Sequence, residues 1–231
     1  MNVEREKFWI GAFAMWVTLA TSASQATAAV ALISESGTIY AETTKGSSTD
    51  TASVTSVTAP APVLATLENS VTEVSTTWET MGAGTPTLIY TASGTLKESK
   101  APAAKPGVDH VGRSSITMEF QPDANGNLSF TGSLTDVSMS GADDPFTWSI
   151  EGDDGSTLEG TQTAFPVNGE VEGGTTYTLR VDTSMLETIN NLETRMRTWE
   201  TRLTVSSIPE PSTSLLLCAA AVWLTLTRKR K

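Results

Sequence analysis

The feature that most constrains this chain is an alternation of apolar and polar residues with a period of two. It is interrupted every ten residues or so by glycine, proline or asparagine. Successive side chains of a strand point to opposite faces, so such a run presents one face for burial and one to water. Ile116, Met118 and Phe120 alternate with Ser115, Thr117 and Glu119. Pro122-Asp123-Ala124-Asn125-Gly126-Asn127 then reads as a turn in which Asn125-Gly126 supplies residues tolerant of positive φ. Leu128, Phe130 and Gly132 alternate on the return, followed by Val137 and Met139, so the stretch reads as an antiparallel meander. Phe146, Trp148 and Ile150 repeat the pattern, as do Tyr177, Leu179 and Val181, and finally Trp199, Thr201, Leu203 and Val205.

The remaining stretches fit the same class less cleanly. Val30 to Glu42 reads as a hairpin about Ser36-Gly37, and Thr43 to Pro62 as either a polar-faced strand or a low-complexity linker. Leu64 to Trp78 resumes the alternation, with Thr72, Val74, Thr76 and Trp78 on a face opposite Val71, Glu73, Ser75 and Thr77, and 85–91 is a further strand candidate. Gly94 to Gly112 holds two prolines and three lysines and reads as a mobile surface loop with His110 in it. Asn168-Gly169 and Gly173-Gly174 read as turns. Met185, Leu186, Ile189, Leu192 and Met196 fall near helical spacing, so Ser184 to Arg197 reads as a short helix or a strand bent at Asn190-Asn191. About ten to twelve short strands with frequent turns imply an all-β body, an antiparallel β-sandwich of jelly-roll-like type. Its expected core is Phe120, Phe130, Phe146, Trp148, Tyr177, Leu179, Trp199 and Leu203.

Both ends of the chain depart from this pattern. Phe8 to Ala23 is an uncharged apolar run, followed by Ala26-Thr27-Ala28, which fits the small-x-small motif of a signal-peptidase site with cleavage after Ala28. Glu4 and Glu6 offset Arg5 and Lys7 ahead of it, and an uncleaved anchor is the other reading of this segment. At the C-terminus, Pro209-Glu210-Pro211 precedes an apolar run from Ser212 to Thr227 and a basic cluster, Arg228, Lys229, Arg230 and Lys231. As a helix that run would reach roughly 24 Å, short of a hydrocarbon core of about 30 Å, so insertion needs snorkelling basic side chains and local thinning. The basic cluster marks the cytoplasmic side. The prolines lack N–H donors and hold the preceding peptide extended, the geometry a protease cleft requires.

These C-terminal residues resemble the PEP-CTERM sorting signal of exported proteins from Gram-negative bacteria that make extracellular polysaccharide. The resemblance covers about the last two dozen residues. It implies recognition of Pro209, Glu210 and Pro211 by an exosortase, a membrane-embedded cysteine transpeptidase-like enzyme. It also implies removal of the helix and delivery of the body to the cell surface or matrix. The expected organisation is a signal peptide over 1–28, a body over 29–207 and a sorting segment over 208–231 whose membrane helix is 212–227.

Composition narrows the chemistry of the body. The whole chain carries formal charge −11, and the body keeps 23 of the 26 acidic residues but only nine of the 15 basic ones. Such a surface does not attract nucleic acid or anionic lipid. The single cysteine, Cys218, lies in the tail, so the body has neither disulfide nor thiolate chemistry. With one histidine, His110, no Cys/His zinc spacing can be built, and its setting between Asp109 and Val111 does not single out a Ser-His-Asp triad. Asp143, Asp144, Glu151, Asp153, Asp154, Asp123 and Asn125 supply hard oxygen ligands in Gly-rich turns, but off the spacing of a twelve-residue calcium loop. Solvated turns are the expected reading and a structural Ca²⁺ site the alternative. No two carboxylates are singled out as a glycosidase pair. Trp78, Trp148, Trp199, Tyr40, Tyr90 and Tyr177 sit at strand-like positions and are expected in the core; exposed, they would stack on sugars.

The expected function is that of a non-enzymatic exported surface or matrix protein, without cofactor, associated with exopolysaccharide. Its expected partners are signal peptidase, an exosortase and, transiently, the inner membrane. A carbohydrate-binding module and a permanently anchored envelope protein are the alternatives.

Overall fold

The computed structural model describes residues 28–100, 107–137, 146–161, 165–189 and 194–208. In chain order its strands are β1 (Val30–Lys45), β2 (Ser48–Ser56), β3 (Val63–Leu67), β4 (Ser70–Met81), β5 (Thr87–Lys100) and β6 (Val108–Pro122). They continue with β7 (Gly126–Val137), β8 (Phe146–Gly152), β9 (Thr157–Thr161), β10 (Val167–Val171), β11 (Tyr177–Ile189) and β12 (Thr194–Ser207). Among the described residues there is no helix. The strands form two six-stranded sheets, ordered β2-β1-β6-β11-β8-β9 and β10-β7-β12-β5-β4-β3. All pairings are antiparallel.

The alternation read from the sequence sets which face each strand buries. Thr72, Val74 and Thr76 of β4 point inward, as do Ile116, Met118 and Phe120 of β6. Aromatic rings join the sheets: Phe130 of β7 lies 5.1 Å from Trp148 of β8, and Phe146 of β8 lies 6.3 Å from Trp199 of β12. Phe165 fills the space beside them, 5.3 Å from Phe130 and 5.9 Å from Trp148. All eight residues expected in the core are buried. Each large side chain taken out of water contributes about 2–3 kcal/mol, so this cluster is a main source of cohesion between the sheets.

Several local expectations are corrected. β1 runs unbroken through Ser36-Gly37, with a bulge between Leu32 and Ser34, and its hairpin lies at Gly46. Gly37 is a packing residue: a Cβ there would sit 2.6 Å from the Trp78 ring. Of the two readings of Thr43 to Pro62 the strand is the one found, as the edge strand β2. Gly94 to Gly112 is mostly strand, since β5 extends to Lys100 and β6 starts at Val108. Gly94 sits beneath Trp199, whose ring a Cβ would meet at 2.6 Å, and the two residues are directly paired across β5 and β12. Asn168-Gly169 lies inside β10. Of the two readings of Ser184 to Arg197 the helix is overturned, since its described part is strand and belongs to β11 and β12.

The largest correction concerns the meander. The turn after Pro122 is where the sequence put it, but β6 and β7 belong to different sheets. It is a corner rather than a hairpin. Gly126 is required there for close approach, because a Cβ would lie 2.0 Å from the Ser206 carbonyl oxygen, not for a positive φ. The links β7–β8, β9–β10, β10–β11 and β11–β12 also cross between sheets.

Candidate functional site

The β6–β7 corner gathers both ends of the body. On one side Ala29 N donates to Asp123 Oδ1 at 2.5 Å, and Asp123 N returns a bond to Ala29 O at 2.9 Å. On the other, Ser207 Oγ reaches Asp123 Oδ1 at 3.3 Å and Ala124 O at 3.1 Å, and Ile208 N donates to Asn125 O at 2.8 Å. The β10–β11 turn is tied in as well: Gly174 N donates to Pro122 O at 2.7 Å and Gly173 N to Asn125 Oδ1 at 2.9 Å. The β4–β5 turn completes the arrangement, with Val30 N on Thr85 O and Ser207 N on Pro86 O, both at 2.8 Å. Three corner residues, Asp123 to Asn125, thus satisfy donors from both ends of the body. An Asp and an Asn suit this role because their side chains accept hydrogen bonds from nearby backbone donors.

This corner is where the expected processing sites attach. Ala28 is buried and directly precedes the bonded Ala29. Ala26, Pro209, Glu210, Pro211, Arg228, Lys229, Arg230 and Lys231 lie outside the described residues, as do the whole apolar run from Ser212 to Thr227 and Asp143-Asp144. No helix among the described residues is long and apolar enough to cross a membrane.

The opposite end of the sandwich has a polar interior that the sequence reading missed. His110, expected in a surface loop, is fully buried on β6. Its Nδ1 is 2.9 Å from Thr72 Oγ1, which also donates to Glu42 O at 2.8 Å and lies 2.9 Å from Thr43 Oγ1. With the Thr72 proton committed to Glu42 O, Nδ1 carries the imidazole hydrogen and donates. Burial pushes the His110 pKa down to about 4; Asp109 opposes that shift and Arg195 adds to it. Glu98, also buried, is paired in register with Thr72 on one side and Arg195 on the other. One strand position further in, Arg197 is buried and grips Asp136 through Nε and Nη2 at 2.8 and 2.9 Å. Its Nη1 donates to Ser184 O of the facing sheet at 2.7 Å. The sequence signal was available: Thr72, Glu98, His110 and Arg197 all fall in phase with apolar residues on alternating strands.

The other candidate groups are placed plainly. Trp148, Trp199, Tyr90 and Tyr177 are buried, and Trp78 is half-buried against the core. Burial, with Glu35 nearby, raises the Tyr90 pKa. Tyr40 is on the outer face of its sheet, bonded to Glu42 and covered by Arg113, whose Cζ lies 5.9 Å from the ring centroid. No open aromatic platform of the kind that stacks on sugars occurs among the described residues. Asp154 Oδ1 accepts from Ser156 N and Oγ at 2.8 and 2.6 Å, which lowers its pKa, and Asp153 Oδ1 accepts from Thr176 N at 3.2 Å. These carboxylates brace the β8–β9 turn. Among the described residues no three His, Cys, Asp or Glu side chains are grouped to hold a metal ion. A shallow hollow of about 250 Å³ on the outside of the second sheet is lined by Thr77, Glu79, Thr91, Ser93 and Glu200 beside Trp78.

No protein-family description matches the chain, and no curated protein matches it. Among solved structures it has a distant likeness to a glycoside hydrolase family 31 alpha-xylosidase from Xanthomonas citri, at 8% identity and a TM-score of 0.21. That likeness spans 80% of this chain but 25% of the xylosidase, and it carries no argument about fold or activity.

Proposed function

We propose that this chain is the precursor of an exported, non-enzymatic cell-surface or matrix protein, sorted through Pro209-Glu210-Pro211 by an exosortase and associated with exopolysaccharide. The supporting observation is the corner at Pro122–Asn125. The segments read as export and sorting signals join the body at neighbouring points of that corner, and every described strand lies between them. Both signals can therefore be removed without breaking a strand pairing. In this reading the sandwich is of jelly-roll type, an architecture consistent with its repeated crossings between sheets. It is a passive, acidic, cofactor-free body. Signal peptidase cuts after Ala28, the basic cluster Arg228–Lys231 holds the tail on the cytoplasmic side, and the extended Pro-Glu-Pro peptide is offered for processing.

The test replaces Pro209, Glu210 and Pro211 with alanine and measures intact mass in membrane and extracellular fractions of a host that makes exopolysaccharide. The wild-type chain should reach the extracellular fraction lacking both terminal segments, and the variant should remain in membranes with Lys231 attached. Unchanged processing of the variant would remove the sorting role.

A further inference from the structure

The contact between Ala29 and Asp123 is unusual in what it asks of its acceptor. Ala29 N is 2.5 Å from Asp123 Oδ1, across 94 residues of chain, and the same oxygen shares the Ser207 hydroxyl, at 3.3 Å, with the Ala124 carbonyl oxygen, at 3.1 Å. While residue 28 is attached, Ala29 N is a neutral amide, and Asp123 gives it a charge-assisted hydrogen bond. Once the donor becomes a cation, the same carboxylate adds the attraction of a full ion pair. Ala29 is the residue at which that happens on cleavage after Ala28. Water supplies hydroxide to the Ala28 carbonyl carbon and a proton to the Ala29 nitrogen as the C–N bond breaks. The released amine, with an ordinary pKa near ~8, takes a further proton at neutral pH. Among the described residues no Lys or Arg forms an ion pair with Asp123.

We propose that Asp123 is the binding site for the α-ammonium group created by signal-peptide cleavage, and that this ion pair fastens the far end of β12 through Ser207. The inference rests on the cleavage after Ala28 assigned above. It gives the two processing events an order. Removal of the N-terminal segment places a charge beside Asp123; that charge strengthens the carboxylate's hold on the corner, and Ser207 and Ile208 are then fixed immediately before Pro209. The sorting peptide is thereby presented on a steadied stem only after the signal peptide has gone. Because Asp123 is exposed, the pair resembles a surface salt bridge, and the expected effect is about two- to five-fold.

The experiment uses full-length protein carrying its tail, purified from membranes of an exporting Gram-negative host. Four forms are compared: wild type, Ala26→Arg to block cleavage, Asp123→Asn, and the double variant. N-terminal sequencing fixes the first residue, and amide exchange of residues 203–208 is followed by mass spectrometry. Cleaved wild type should exchange about two- to five-fold more slowly than the uncleaved variant. In the Asp123→Asn background, which keeps an oxygen acceptor for the amide, cleaved and uncleaved chains should exchange alike. A second readout needs no cleavage block: acylation of the Ala29 α-amine at pH 7 should be about two- to five-fold faster in Asp123→Asn. Equal acylation rates, or a cleavage effect that survives in Asp123→Asn, would overturn the ion pair while leaving the export reading intact. An N-terminus at any residue other than Ala29 would overturn the pair together with the assigned cleavage.

Discussion

His110 makes the stability of this sandwich depend on pH in a way that one substitution isolates. The imidazole is fully buried and its pKa falls to about 4 from an ordinary 6.5, first because burial disfavours the charged form. In the unfolded chain it binds a proton near 6.5, whereas in the folded protein it resists until about 4. Acid therefore favours the unfolded state: the stability is whole above pH 6.5, declines between 6.5 and 4, and levels off below. A difference of this size, at 1.36 kcal/mol for each pKa unit, corresponds to about 3 kcal/mol. Two nearby charges act in opposite directions, Asp109 supporting the proton and Arg195 opposing it. His110→Gln keeps an amide donor for Thr72 and removes the titration. Urea denaturation followed by tryptophan fluorescence, at intervals from pH 7 to pH 4, should give a wild-type loss exceeding that of the variant by about 3 kcal/mol. Parallel curves for the two proteins would refute the buried, neutral histidine, as would an NMR titration of His110 at its ordinary pKa.

Two further substitutions probe the interior. Arg197→Met leaves Asp136 without its bidentate partner and Ser184 O without a donor; since Asp136 is 32% exposed, the cost should fall near the lower end for a broken buried pair, about 3 kcal/mol, read as a lowered urea midpoint. Gly94→Ala puts a Cβ 2.6 Å from Trp199 Nε1 and 2.8 Å from the Ser75 carbonyl oxygen, and should cost about 1–3 kcal/mol with a shift in tryptophan emission, whereas Gly46→Ala, with nothing within 4 Å, should leave the emission unchanged.

The sequence made the core legible wherever an aromatic alternated with hydroxyls. Trp148, Tyr177 and Trp199 declare their own faces because the residues on either side of each along its strand are polar. The errors cluster at two kinds of residue. Gly37, Gly94 and Gly112 were taken as breaks, since glycine in isolation signals a turn. Here each is a socket, for Trp78, Trp199 and the Leu96–Val74 pair respectively, and the side chains that fill it come from other strands. His110 reads as a surface loop residue, and Glu98 and Arg197 draw no notice in the sequence, because burial of a polar side chain is settled by partners on other strands. Thr72 is 38 residues from His110 and Asp136 is 61 from Arg197, so no local window contains both members. The same limit explains the meander. A corner and a hairpin use similar turn residues, and what tells them apart is that β6 pairs with β1 and β11 while β7 pairs with β10 and β12. The corner site was half visible: Ala28 was marked by its small-residue motif, but nothing near Asp123 in sequence points to Ala29.

The placement of the two terminal strands has a mechanical consequence. β12 is flanked on both sides, by β7 and β5, and β1 likewise lies between β2 and β6. A pull on Ile208 along the strand axis, as a tether would exert on a body dragged by flow, cannot peel β12 away one bond at a time. It must shear the ladders from Met196 to Ser207 and from Thr194 to Ser206 together. Rupture then requires many hydrogen bonds to fail in one event, so the body should yield at high force and abruptly, while its short edge strands β3, β9 and β10 carry none of the tension.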